Sequence, residues 1–130
     1  MTQEEKELLL KDLCARLPYG VKYKDAHGYK KTIDIWSPEF HTALNTILYD
    51  GKPSLYLRPM SSMIEKEREH LQKLHDIISD ENYGDGFSPA AWEAILDFNN
   101  YCHEHHLDNG GLITLGLALE APEGMYNTKQ

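Results

Sequence analysis

Residues 42–49, TALNTILY, decide the fold of this chain, because their side chains alternate in character and the next two residues, Asp50-Gly51, form a favoured hairpin dipeptide. The alternation predicts a strand that turns at Asp50-Gly51 and returns along PSLYLRP, residues 53–59. Upstream, Ser37-Pro38 interrupts an earlier period-two region running from Tyr19 to Trp36. There Val21 and Tyr23 alternate with lysines, DAHG supplies turn residues, and Ile33 and Ile35 alternate with Thr32, Asp34 and Trp36. Up to four strands would then form an antiparallel meander.

Helical patterns flank this region. Thr2 and Glu5 form a T-x-x-E capping box, after which Leu9, Leu10, Leu13, Cys14 and Leu17 recur at helical spacing until Pro18 and Gly20. This helix, about residues 3–17, is expected to bury Leu10, Leu13 and Leu17 against a sheet containing Val21, Ile33 and Ile35. Ser62 and Glu65 repeat the capping arrangement before a second helix over about Met63 to Ile78. Ser88-Pro89 opens a third, expected to run to about His106. Residues 112–119 fit either a buried strand or a helical turn stopped by Gly116. The fold class expected is α+β: one domain over residues 1–126, with an antiparallel sheet of three to five strands packed by about three helices and a disordered tail at 127–130.

The chain has 130 residues, a size suited to one core, and 41% of them are hydrophobic, enough to separate it from disordered sequences. Thirteen Lys and Arg stand against 21 Asp and Glu, a formal charge of −8 that disfavours non-specific binding to nucleic acid or anionic lipid. MTQEEKELLL lacks the basic start and long apolar run of a secretory signal, and no later run approaches membrane-spanning length, so a cytoplasmic protein is expected. Cys14 and Cys102 are far apart and make no redox motif.

The chemistry-bearing segment is YCHEHHLDNGG, residues 101–111. Cys102, His103 and His106 are residue types that zinc accepts, with Asp108 a further oxygen donor, but H-E-x-x-H fails because Leu107 stands where the second histidine belongs. The plainer reading is a helix C-terminus, where histidines meet the dipole and Asn109-Gly110 makes the left-handed exit. No metal or cofactor is assigned. Asp80 and Asn82 have calcium-ligand spacing, yet Gly84 and Ala91 occupy positions that need oxygen ligands. No Gly-rich phosphate loop or nucleophile elbow occurs. Arg58 ahead of a helix start is a minor candidate for an anion, and Tyr23, Tyr29, Trp36 and Tyr49, interleaved with lysines, form a candidate surface for a partner protein.

KELLLKDLCARLPYGVK (6–22), YLRPMSSM (56–63) and GLALEAPEGMY (116–126) together resemble a family of short proteins from gut anaerobic bacteria and their phages or prophages. The resemblance implies a phage- or mobile-element-associated setting in a bacterial cytoplasm, and it implies no activity. Within it His105, His106, Asp108, Gly111, Leu112 and Ile113 correspond to family positions, whereas Cys102 and His103 do not. The expected function is a non-enzymatic protein-interaction module. The competing expectation is a small hydrolytic or metal-assisted enzyme using His105, His106 and Asp108, separable from the first by whether those groups converge in a pocket.

Overall fold

A computed structural model describes residues 1–79 and 89–126. Helix α1 (Gln3–Arg16) starts as expected: the Thr2 hydroxyl accepts the Glu5 amide at 3.1 Å, and the Glu5 carboxylate accepts the Thr2 amide at 2.8 Å. Its inward residues are Leu9, Leu13 and Arg16, at i, i+4 and i+7, rather than Leu10, Leu13 and Leu17. Leu10 faces water and Leu17 is only partly buried, because the buried stripe is rotated toward a charged residue that a purely apolar count passes over.

Strands β1 (Lys22–Lys24) and β2 (Lys30–Thr32) form the expected antiparallel hairpin, with Tyr23 opposite Lys31. Asp25 closes its turn by accepting the amides of His27 and Tyr29 on one carboxylate oxygen, at 2.9 and 2.8 Å. Val21 and Ile33 enter the core, whereas Ile35 is exposed because the chain has left the strand by then and turned at residues 34–37.

The segment TALNTILY is helical, which corrects the strand expectation. Helix α2 (Phe40–Tyr49) buries Ala43, Ile47 and Leu48 and half-buries Phe40 and Leu44. Positions 40, 43, 44, 47 and 48 are i, i+3, i+4, i+7 and i+8 of one helical stripe. A window starting at Thr42 omits Phe40 and hides that period. Ser37-Pro38 therefore precedes a helix: the Ser37 carbonyl accepts the Phe40 amide at 3.1 Å, and its hydroxyl accepts the Glu39 amide at 3.1 Å.

With that strand gone, the meander is replaced, among the described residues, by two two-stranded sheets, the hairpin and a parallel pair of β3 (Tyr56–Leu57) and β4 (Leu119–Glu120). Single bridges tie β3's flanks to their surroundings, Leu55 to Tyr23 and Arg58 to Leu107. Fold class α+β holds; the antiparallel sheet of three to five strands does not.

Helix α3 (Glu65–Ile78) is not capped by Ser62, whose hydroxyl bonds the Pro59 carbonyl within a 3-10 turn over Met60–Ser62. Glu67 instead accepts the Ile64 amide at 3.0 Å. Helix α4 (Pro89–Glu104) packs on α3, and its Cys102, with Leu107 just beyond its end, is buried with Leu71 in a small second cluster. The larger cluster holds α1, the hairpin, α2 and residues 55, 57, 112, 117 and 118. Residues 112–115 make the helical turn, stopped at Gly116 (φ 76°): Gly116 and Leu117 donate to the Ile113 and Leu112 carbonyls at 3.0 and 2.9 Å. The strand follows at Leu119. The 80–86 loop, Ser88 and the 127–130 tail lie outside the described residues. No helix among the described residues is long and apolar enough to cross a membrane.

Candidate functional site

The histidine segment begins where α4 ends. Leu107 donates to the Cys102 carbonyl at 2.8 Å and His106 to the His103 carbonyl at 3.2 Å, the paired bonds that close a helix around one left-handed residue. That residue is His106, with φ 59°, not Asn109 or Gly110. A left-handed backbone at a side chain bearing Cβ costs about 1–2 kcal/mol, so the ring must be held by its surroundings. It stacks on Tyr126 with centroids 4.2 Å apart, and its Nε2 lies 2.9 Å from the Tyr19 carbonyl.

A carbonyl only accepts, so Nε2 carries the proton and Nδ1 is a bare acceptor, buried and without a partner among the described residues. Burial pushes the His106 pKa down to about 4; the Tyr19 bond opposes this, and the nearby Arg16 and Arg58 charges add to it. The imidazole is neutral at ordinary pH.

His105 and Asp108 point elsewhere. His105 Nδ1 lies 3.4 Å from the Glu67 carboxylate, and its ring contacts Tyr101 at 4.2 Å. Asp108 accepts the amides of Leu112 and Ile113, one on each oxygen, at 2.8 and 2.9 Å, and so caps the helical turn that follows. Cys102 is fully buried, and burial pushes its thiol up to about 11. Among the described residues no group of three or more His, Cys, Asp or Glu side chains is placed to hold a metal ion.

Two buried arginines grip the same segment, and the apolar patterning of the sequence does not reveal them. Arg16 pairs with Asp12 through Nε and Nη2 at 2.7 and 3.0 Å and donates to the Leu107 carbonyl at 2.8 Å. Arg58 makes a two-pronged bond to Glu67 at 2.7 and 2.8 Å and also donates to the carbonyls of Ser62 and His105. Burial acts to raise the Glu67 pKa, but the Arg58 bonds and the Ile64 amide outweigh it and hold the carboxyl below its usual value. Arg58 is thus engaged within the fold, where an anion was the sequence-based alternative. Its backbone bonds His106 and Asp108, each at 2.8 Å.

Tyr126 completes the joint. Its hydroxyl accepts the Lys22 amide at 2.7 Å and donates to the Tyr56 carbonyl at 2.8 Å. The antiparallel contact between β1 and residues 54–55 would continue at Lys22 and Tyr56; the hydroxyl enters there and relays the bond.

Of the four aromatics expected on a surface, Tyr23 is buried in the core, because residues facing inward on β1 alternate with its lysines. Tyr29, Trp36 and Tyr49 are exposed, and Lys6 lies over the Tyr49 ring at 4.5 Å. Trp36 is 90% exposed, with Ile35 beside it at 55%. Their turn is fixed: the Asp34 carboxylate accepts the Trp36 amide at 2.9 Å and its carbonyl accepts the Ser37 amide at 3.0 Å. A hollow of about 560 Å³ lies between the hairpin turn and the end of α2, walled by Lys24, Asp25, His27, Asp50 and Lys52 among others. Another of about 180 Å³ is walled by Arg58, Ser62 and Tyr126 beside the 121–124 segment. Neither is lined by His105, His106 or Asp108.

Comparison with protein-family models, curated proteins and solved structures gave no match.

Proposed function

We propose that the protein is a non-enzymatic interaction module that engages a partner protein through the turn at residues 34–37. The observation that carries this reading is the exposure of Trp36, 90%, on a backbone locked by Asp34 and Ser37. A large aromatic in water on a preorganised turn is the kind of residue that dominates binding energy at interfaces, since little conformational entropy remains to be lost on docking. Ile35 enlarges the apolar contact, and Tyr29 lies a few residues upstream, also exposed.

The chemistry of the histidine segment favours no second reading. Asp108 spends its carboxylate on backbone amides, Arg58 its guanidinium on Glu67 and backbone carbonyls, and His106 its Nε2 on the Tyr19 carbonyl, while His105, His106 and Asp108 diverge. The setting we propose, a phage- or mobile-element-associated role in a bacterial cytoplasm, is supported by the resemblance of residues 6–22, 56–63 and 116–126. A photo-crosslinking residue placed at Tyr29 in the native host tests the interaction. A discrete protein adduct that disappears on Trp36→Ala is expected; adducts unchanged by Trp36→Ala would contradict the reading.

A further inference from the structure

The hairpin has one open side. Within it the bonded pairs are fixed by two observed bonds, Ile33 to the Val21 carbonyl at 2.9 Å and Asp25 to the Tyr29 carbonyl at 2.9 Å. Pairing in an antiparallel ladder alternates, so Tyr23 and Lys31 are bonded to each other, while Lys22, Lys24, Lys30 and Thr32 turn their backbone groups away from the partner strand. On the β1 side these are taken: Lys24 donates to the Ser54 carbonyl at 2.8 Å and Lys22 to the Tyr126 hydroxyl. On the β2 side, the amides and carbonyls of Lys30 and Thr32 meet no hydrogen-bonding group among the described residues, and all three residues of β2 are exposed.

The same strands carry an unbalanced charge. Lys24 lies directly opposite Lys30, an arrangement that destabilises a strand pair, and Lys22 shares their face with its ammonium on the Thr32 hydroxyl at 3.0 Å. Lys31, on the opposite face, is matched by Asp25 at 3.2 Å and Glu39 at 3.8 Å. Lys24 and Lys30 form no ion pair among the described residues. This local positive face belongs to a chain of formal charge −8.

We infer that an extended acidic segment of the partner protein adds as a strand to the outer edge of β2, bonding Lys30 and Thr32 and neutralising Lys24 and Lys30 while its neighbouring residues meet Trp36. The inference rests on the interaction reading above and names the partner's chemistry. Charge selects this occupant over a second copy, because self-pairing would bring Lys30 and its neighbours against the same lysines. The open backbone groups select a protein over a nucleic acid, because they form a strand ladder that only another peptide backbone can extend.

The probe is a short synthetic peptide in which glutamates alternate with threonine and valine, titrated into the isotope-labelled chain. Amide shifts at Lys30 and Thr32 and at the Trp36 indole are expected, weakening with added salt. Thr32→Pro removes the outward amide, which bonds no group among the described residues, and should lower affinity about tenfold relative to Thr32→Ala, which likewise lacks the hydroxyl that Lys22 meets. The exposed pair Lys24→Glu with Lys30→Glu should exchange the preference to a matching lysine peptide. Equal binding of the glutamate and lysine peptides, no binding of either, shifts remote from β2, or tighter binding of a single-stranded oligonucleotide would each overturn the inference. The two proposals separate cleanly: a crosslinked partner lost with Trp36→Ala but retained by Thr32→Pro leaves the interaction reading standing and removes strand addition.

Discussion

Arg16 Nη2 lies 2.8 Å from the Leu107 carbonyl oxygen, joining the end of the first helix to the exit of the last across 91 positions of sequence. The guanidinium has no exposed surface and is neutralised by Asp12. A buried cation is tolerated only when its donors are used, and here the acceptors are the Asp12 carboxylate and the Cys102 and Leu107 carbonyls. Removing Arg16 leaves the Asp12 carboxylate without its cation and leaves the Leu107 carbonyl with the Asn109 amide as its remaining donor. Arg16→Ala should therefore lower stability by about 3–5 kcal/mol in urea unfolding, and Arg16→Lys should recover only part of it, because a single ammonium cannot span both partners.

The Arg58–Glu67 pair makes the corresponding attachment from the α3 side. Glu67→Gln keeps the shape and deletes the charge, leaving Arg58 buried and uncompensated, with an expected loss of about 3–5 kcal/mol. Combining it with Arg58→Met should cost less than the two single changes summed. Additive losses in that double-mutant cycle would show that the pair is not coupled.

Tyr126→Phe keeps the ring on His106 and deletes one oxygen, so that the Lys22 amide and the Tyr56 carbonyl both lose their partner. A loss of about 1–3 kcal/mol is expected from unfolding curves. An unchanged midpoint would mean that water or a direct strand bond replaces the hydroxyl.

His106 sets a pH dependence with a definite sign. An unfolded imidazole titrates near 6.5, whereas the folded one stays neutral down to about 4. Between these values the unfolded chain binds the proton first, so stability is fully present above pH 6.5 and falls as pH drops toward 4. The contribution is on the order of 3 kcal/mol. His106→Asn, which tolerates the left-handed backbone but does not titrate, should lose the extra slope in that window. Parallel curves for the two proteins would place the ring in water.

Thiol chemistry separates the two cysteines. Cys14 is exposed, whereas Cys102 is buried with its thiol pushed up to about 11, so iodoacetamide at neutral pH should modify Cys14 alone until denaturant is added. Modification of both in the native chain would contradict the α4 packing.

The parts of this fold legible in the sequence are those decided by near neighbours. The Thr2–Glu5 cap and the hairpin around DAHG depend on residues a few positions apart and follow from local chemistry, whereas for residues 112–119 the sequence leaves strand and helical turn open and the structure takes the turn stopped at Gly116. TALNTILY reads as a strand only because the window starting at Thr42 is too short: with Phe40 included the period is helical. The joint was illegible for a different reason. Arg16, Arg58 and Tyr126 act on carbonyls and amides 47 to 104 positions away, and no spacing rule reports such pairs. For the candidate catalytic set, adjacency in YCHEHHLDNGG suggested convergence, but the reversal of the chain at His106 sends His105 and Asp108 to different neighbours.

Amide hydrogen exchange tests most directly whether residues 101–113 are a structural joint and not an open reactive loop. The amides of Leu107, Asp108, Leu112 and Ile113, bonded to Cys102, Arg58 and the Asp108 carboxylate, should exchange only on global unfolding, in step with core amides such as that of Ile33. Exchange of these four as fast as the amide of exposed Gly110 would show that the segment opens independently, and would contradict the account.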